Sequence, residues 1–243
     1  MIALRRQLFN RLLVLVVFNK TRNKNKGITI NDEVSTILKS VPDNKEEINN
    51  ALMILQQESV GENYQESLQY PSLNVRQIET SWKGKALKTI IPEYATAHLD
   101  IRLVEETDGK IQLEKIKKHI RKQGYLVLDR APTDKERLSY DKIATFKGNS
   151  GVNAFRTALN DPFGEKLRSA LTKYFGKEPV SIRTMGGTVP IIPAINELDI
   201  PAIIVPMVNM DNNQHNPNEN IRIGNIRQGI KICLAILNTS FNE

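Results

Sequence analysis

Only one cysteine occurs in the 243 residues, Cys233, and it sits inside the apolar run Ile230–Leu237. A disulfide framework and a cysteine-based zinc knuckle are therefore excluded, and Cys233 reads as a buried core thiol. Aromatic residues make up only 6% and do not interleave with the basic stretches, so no stacking platform for nucleic acid is visible. The net charge of +7 comes from 34 Lys+Arg against 27 Asp+Glu. The basic residues are scattered through Arg5–Lys26, Lys83–Lys88, Lys115–Lys122 and Lys166–Lys177 and read as solvated helix faces rather than as a nucleic-acid footprint. No apolar run is long enough to cross a bilayer. Leu12–Phe18 follows Arg5-Arg6 much as in a signal sequence, but Asn19-Lys20 follow it in place of a small-residue cleavage site. Ala3–Phe18 reads instead as a buried helix. The expectation is a cytoplasmic protein with no membrane and no nucleic-acid partner.

What is present is ordinary for a globular chain: 40% apolar and 25% charged residues, enough for one large domain or two small ones. Three segments of different character follow one another. Residues 1–67 look helical. Asn31-Asp32 suit the start of a helix carrying Val34, Ile37, Leu38 and Val41, which Pro42 would stop, and Ile48, Ala51, Leu52 and Leu55 make a second stripe. A polar connection then runs from Gly61 to Pro71. Residues 68–157 read as a small α+β unit. Leu73, Val75 and Gln77 alternate against Asn74, Arg76 and Ile78. In Ala95–Val104 the residues Ala95, Ala97, Leu99, Ile101 and Leu103 share one face, with Thr96, His98, Asp100 and Arg102 on the other. Such a strand belongs in an antiparallel sheet with one packed and one wet face. Leu113, Ile116 and Ile120 predict a helix ended near Gly124, and Tyr125–Leu128 a further strand.

Residues 158–243 predict strand-helix alternation, the mark of an α/β layer. A helix over Phe163–Phe175 ends at Gly176. Val180–Arg183 reads as a strand leading to Met185-Gly186-Gly187-Thr188, with Pro190 in the first turn of a helix. Ile200–Met207 reads as a buried parallel strand. The polar loop Asn209–Asn220 follows, and a last helix carries Ile223, Ile226, Ile230, Cys233 and Leu237 on its packed stripe.

Ligands of open α/β sheets bind beyond the carboxyl ends of parallel strands. Two loops leave those ends here, one with Arg183, Gly186, Gly187 and Thr188, the other with His215. A glycine pair exposes backbone N–H groups to an oxyanion, an arginine grips a carboxylate, and a histidine serves as metal ligand or acid/base. Spacing alone equally allows a tight turn and a solvated loop histidine.

Three motifs shift that balance. Asn209–Asn220, with His215 at its centre, resembles the histidine motif of the dinuclear zinc peptidases that include the aminoacylases, carnosinases and glutamate carboxypeptidases (peptidase family M20). Arg183-Thr184-Met185-Gly186-Gly187-Thr188-Val189-Pro190 is similar to that family's Arg-x-x-Gly-Gly-Ser/Thr-x-Pro segment. Pro71–Val75, Thr89–Pro92 and Asp100–Val104 resemble its lid, or dimerisation, domain. The resemblance implies a catalytic α/β domain interrupted by an α+β lid on a four-stranded antiparallel sheet, with residues 1–67 and 158–243 as catalytic pieces and 68–157 as the lid. It further implies a homodimer through the lid and hydrolysis of dipeptides or N-acyl amino acids by zinc-bound hydroxide. His215 would bind one of two zincs, Arg183 the substrate carboxylate, and Gly186, Gly187 and Thr188 would shape its pocket. His98 would reach an active site across the dimer. His119, among Lys115, Lys117, Lys118 and Arg121, reads as a helix-surface residue.

The family pattern also needs an early His-x-Asp, a bridging Asp and a Glu-Glu pair containing the general base. The residues that precede the lid segment here contain no histidine. His98-Leu99-Asp100 and Glu105-Glu106 match the letters, but lie where the lid does, with Arg102 on the same face as Asp100. The chain is thus expected to be a C-terminal part of such an enzyme, without a catalytic residue of its own, inactive alone and with bare apolar surface. The alternative is a non-catalytic dimerisation or carboxylate-binding module.

Overall fold

The computed structural model describes residues 30–57, 60–81, 92 and 94–240. The expected helix Ala3–Phe18 and the Thr89–Ile91 part of the lid motif lie outside them. The chain divides into two compact units, the first holding residues 30–36 and 43–155 and the second residues 156–240 with Ile37–Pro42, so the division falls within the first helix.

The first unit starts with short helices. Helix α1 (Asp32–Ser40) begins where Asn31 Oδ1 accepts the Val34 N–H at 2.9 Å, satisfying one of the orphan donors of a helix start. Helix α2 (Lys45–Leu52) is capped in the same way by Asn44. The connection expected from Gly61 to Pro71 contains a single further turn, α3 (Tyr64–Ser67).

Strands β1 (Ser72–Thr80) and β2 (Ala95–Arg102) form an antiparallel ladder. A bulge between Val75 and Gln77 changes which residues share a face. Strict alternation groups Gln77 with Leu73 and Val75. The bulge instead brings Ile78 onto that face, opposite Ala97, while Leu73 pairs with Ile101 and Val75 with Leu99. Gln77 joins the polar face opposite His98. The apolar face is continuous as a result, yet Val75, Ile78 and Leu99 on it are exposed.

Helix α4 (Gly109–Lys122) is started by Asp108, which accepts the Ile111 N–H at 3.0 Å. Asn153 ties the later chain to that start, accepting the Gly109 N–H at 3.1 Å and donating to Asp108 at 3.2 Å. Only glycine fits at 109, because a Cβ there would lie 2.5 Å from the Ser150 carbonyl. The helix packs on β3 (Leu126–Leu128), which pairs in parallel with β4 (Ile143–Thr145). Between them α5 (Asp134–Ser139) is held by a Thr133/Glu136 capping box, a signal present in the sequence as Thr-x-x-Glu. Instead of one four-stranded antiparallel sheet, the described residues form two two-stranded ladders. His119 is half-buried on α4; burial and then Lys122 push its pKa down.

In the second unit α6 (Pro162–Phe175) has Asp161 as N-cap, Pro162 in its first turn and Gly176 at φ 73° as its C-cap, a left-handed position that glycine takes without a Cβ penalty. It packs against α8 (Ile223–Leu237) through Leu167, Leu171 and Ala235, with Phe175, Val205, Ile232 and Ile236 around them. Helix α7 (Ile192–Leu198) starts two residues after Pro190; the proline in its first turn is Pro193.

Four sequence expectations fail in this unit. Neither Val180–Arg183 nor Ile200–Met207 forms a strand. A ladder needs a neighbour, and none is present for either segment among the described residues. The α8 stripe expected in the core points outward: Ile223, Ile226, Ile230 and Leu237 are exposed, and small residues, Gly229 and Ala235, are buried in its place. Cys233, on the same outward stripe, is an exposed thiol rather than a core one. No helix among the described residues is long and apolar enough to cross a membrane.

Candidate functional site

The loop after the Ile200–Met207 segment is organised by asparagine. Asn209 is buried, at 5% exposure. Its amide donates to Asp211 Oδ1 at 2.9 Å and to Asn220 Oδ1 at 3.3 Å, and its carbonyl accepts the Arg222 N–H at 3.1 Å. Asn209 therefore clamps both ends of a twelve-residue excursion. Inside it the Asn220 N–H reaches the Asn212 carbonyl at 2.8 Å, and buried Asn212 accepts the Gln214 N–H through its side chain at 3.1 Å. These are side-chain turns that replace regular backbone pairing.

Three residues of the loop take the left-handed conformation: Asn213 (φ 56°), His215 (φ 65°) and Asn218 (φ 64°). Asparagine adopts it readily and histidine less so; the cost is roughly 1–2 kcal/mol for a residue with a Cβ. The clamp holds His215 there, with its backbone N–H 3.4 Å from Glu219 Oε2 and its side chain exposed. The imidazole makes no hydrogen bond among the described residues.

The donor set around His215 does not fit a zinc site. Among the described residues no group of three or more His, Cys, Asp and Glu side chains comes together in a way that could hold a metal ion. Asp211, the nearest carboxylate in sequence, is committed elsewhere: Arg222 Nη2 binds its Oδ2 at 2.5 Å. Its carboxyl is held below the usual carboxylate range, chiefly by the Asn209 amide and further by the Arg222 guanidinium. Zinc sites use several anionic and imidazole ligands at once, and one exposed imidazole is not such a set.

Arg183, Gly186, Gly187 and Thr188 lie in the same unit as His215. Arg183 is half-buried, whereas both glycines and Thr188 are exposed. Neither glycine has a positive φ. A Cβ at Gly187 would meet only Met185 Cε, at 3.4 Å. The pair therefore forms an open, uncovered turn.

His98 lies in the first unit. Its Nε2 is 3.5 Å from Glu79 Oε1 on the neighbouring strand, and Arg102 Nε binds Asp100 Oδ2 at 2.7 Å. His98 and Asp100 thus face different partners, Glu79 and Arg102. Asn209 is the site residue that pattern reading passed over; its signal was its place opposite Asn220 at the other end of an Asn-rich loop.

With this geometry in view, the comparisons say what the chain is similar to. Residues 23–126 match the model of the M20 peptidase dimerisation domain. Proteins similar to the chain are metallopeptidases. The Cys-Gly metallodipeptidase of Saccharomyces cerevisiae is 27% identical over 180 residues, which cover 69% of this chain and 33% of that protein. The human Beta-Ala-His dipeptidase is 25% identical over 167 residues, covering 68% and 31%. An M20 family metallo-carboxypeptidase from Sulfolobus solfataricus aligns in three dimensions with a TM-score of 0.67 at 27% identity, over 88% of this chain and 46% of that one. Human carnosine dipeptidase 1 shares the fold, with a TM-score of 0.63 at 21% identity. The chain spans about a third of the length of the curated relatives it matches.

Proposed function

We propose that this chain is the C-terminal part of a dinuclear zinc M20 peptidase acting on dipeptides or N-acyl amino acids, and that it does not hydrolyse them alone. The observation that carries this reading is His215: an exposed histidine in a loop closed by the Asn209 clamp, with no set of metal-binding side chains around it among the described residues. The exposed Gly186-Gly187 turn beside half-buried Arg183 supports a role in receiving a substrate carboxylate. In this reading Thr188 and His98 are further substrate contacts, His98 across a homodimer. The dimerisation-domain match supports that dimer, in which the β1–β2 ladder forms part of a four-stranded sheet.

No catalytic step is assigned to these 243 residues. Their part is to bind and orient: a carboxylate at Arg183, a backbone turn at Gly186-Gly187, one imidazole at His215. Incubating the purified chain with zinc and a panel of dipeptides and N-acyl amino acids tests this. No hydrolysis above the buffer rate is expected; zinc-dependent turnover that disappears in His215→Ala overturns it.

A second reading, a carboxylate-binding module without catalysis, is favoured by half-buried Arg183 beside the exposed Gly186-Gly187 pair. Dipeptide binding that is lost in Arg183→Ala and indifferent to a chelator would select it.

A further inference from the structure

Asp108-Gly109 is the one Asp-Gly step in the sequence, and no Asn-Gly step occurs. The fold requires both residues. Asp108 Oδ1 starts α4 by accepting the Ile111 N–H at 3.0 Å, as an N-cap does. Gly109 is buried against Ser150, where an added Cβ would meet the carbonyl and also lie 3.2 Å from Ser150 Cβ and 3.3 Å from Leu103 Cδ1.

That pair of residues carries a chemical liability. An aspartyl carboxyl stands one ring closure away from the nitrogen of the next residue, and glycine has no Cβ to hinder the approach. The Gly109 nitrogen bonds to Asp108 Cγ as the C–OH bond of the protonated carboxyl breaks. The hydroxyl and the amide proton leave together as water. Water then adds to the Asp108 main-chain carbonyl carbon of the succinimide, and the bond from that carbon to nitrogen breaks. The chain now runs through Cγ as isoaspartate, one methylene longer, and the former main-chain carbonyl is a free carboxylate.

Asn153 opposes this step at both ends. Its Oδ1 accepts the Gly109 N–H at 3.1 Å, so the proton that must leave is held. Its Nδ2 donates to Asp108 Oδ2 at 3.2 Å, while the Ile111 N–H holds the other oxygen. Ring closure consumes the N–H and one of those oxygens. It therefore breaks the Asn153 bond to Gly109 and one of the two bonds to the Asp108 carboxylate. The Ile111 N–H first, and then Asn153, also hold the Asp108 carboxyl below its usual range, which favours the ionised form, the poorer electrophile. One asparagine side chain thus grips nucleophile and electrophile at once.

We propose that Asp108-Gly109 is a spontaneous modification site of this chain, where isoaspartate forms, and that Asn153 sets its rate by bridging the two reacting groups in the folded protein. Isoaspartate at 108 displaces the N-cap and the Asn153 bridge together. It therefore opens the start of α4, which lies among the residues matched to the dimerisation domain.

The test ages the full chain at neutral pH. Isoaspartate is located by an endoprotease that cuts before aspartate but not before isoaspartate, with mass spectrometry of the peptides. In the urea-unfolded chain, position 108 is expected to convert before any other. In folded wild type it converts at least about tenfold more slowly, and Asn153→Ala converts about tenfold faster than folded wild type, as expected for two lost hydrogen bonds. Asn153→Ser, too short to span both groups, accelerates conversion as well and serves should alanine prevent folding. Asn153→Ala/Asp108→Ser keeps a capping side chain without a carboxyl and forms no isoaspartate there. Ile116→Val loosens the buried side of α4 without touching the bridge, and is expected to convert at the wild-type rate. Equal rates in folded wild type and both Asn153 variants overturn the proposal. So does an Ile116→Val rate as high as that of Asn153→Ala, which makes general loosening the cause, or earlier conversion at another position in the Asn153 variants.

Discussion

Replacing Asn209 with alanine removes all three side-chain hydrogen bonds that close the His215 loop: to Asp211, to Asn220 and from Arg222. Each contributes about 1 kcal/mol net, and an unmade bond at a buried group costs more than that mean. The bond to Asn220, at 3.3 Å, is the weakest. Taken together the variant loses about 2 kcal/mol from the second unit. Urea denaturation of the full chain reads that loss as a lower midpoint at unchanged slope. A second readout is local. The Asn209 amide is the largest influence holding the Asp211 carboxyl below the usual range. In Asn209→Ala the Asp211 titration, followed by carboxylate NMR, moves back up toward the ordinary value, and further than it does in Arg222→Gln. The sign follows from linkage: a carboxyl lowered by folding stabilises the loop above its unfolded pKa, and that contribution disappears as pH falls through the folded value. The wild-type loop therefore loosens on acidification, and the variant loop shows less of this dependence. An Asp211 titration unchanged in Asn209→Ala would refute the clamp.

Three further outcomes are expected. Gly176→Ala places a Cβ at φ 73° on the α6 C-cap, where nothing crowds it, so the cost is backbone strain alone, about 1 kcal/mol by thermal or urea unfolding. Leu171→Ala empties the α6–α8 core and lowers stability by about 2–4 kcal/mol, with near-complete loss of structure in the second unit by circular dichroism. Glu136 is held down to about 2, first by the Arg130 guanidinium and then by the Thr133 backbone and hydroxyl. The α5 capping box therefore stays intact through ordinary acid conditions and opens only as pH falls toward 2; Thr133→Ala removes the box's hydroxyl and moves the Glu136 titration up in an NMR experiment.

Much of the fold was legible where one residue type does one job. Asn31 and Pro42 bracket α1, and Gly176 ends α6, because caps are local chemistry. The ladder of β1 was legible but its faces were not: the bulge before Gln77 inserts one residue, and alternation carries no mark of it. Helix α8 shows a deeper limit. Its most apolar stripe predicts a core contact, yet periodicity says which side is apolar and not whether a neighbour exists to cover it. The same holds for Val180–Arg183 and Ile200–Met207, whose composition suits strands that have nothing to pair with among the described residues. At the site, His215, Arg183 and the glycine pair were found through resemblance; their spacing alone equally fits a loop and a turn. The role of Asn209 lies in two long-range hydrogen bonds that only coordinates reveal.

The proposed reading makes His215 a metal ligand of a larger enzyme that finds no metal-binding set around it among the described residues. Isothermal titration of zinc into the purified, metal-free chain, compared with His215→Ala, tests it most directly. One exposed imidazole binds zinc only weakly, with a dissociation constant on the order of millimolar. The account predicts no tighter stoichiometric site and no difference in tight binding between the two proteins. A one-to-one site of sub-micromolar affinity that vanishes in His215→Ala would contradict it.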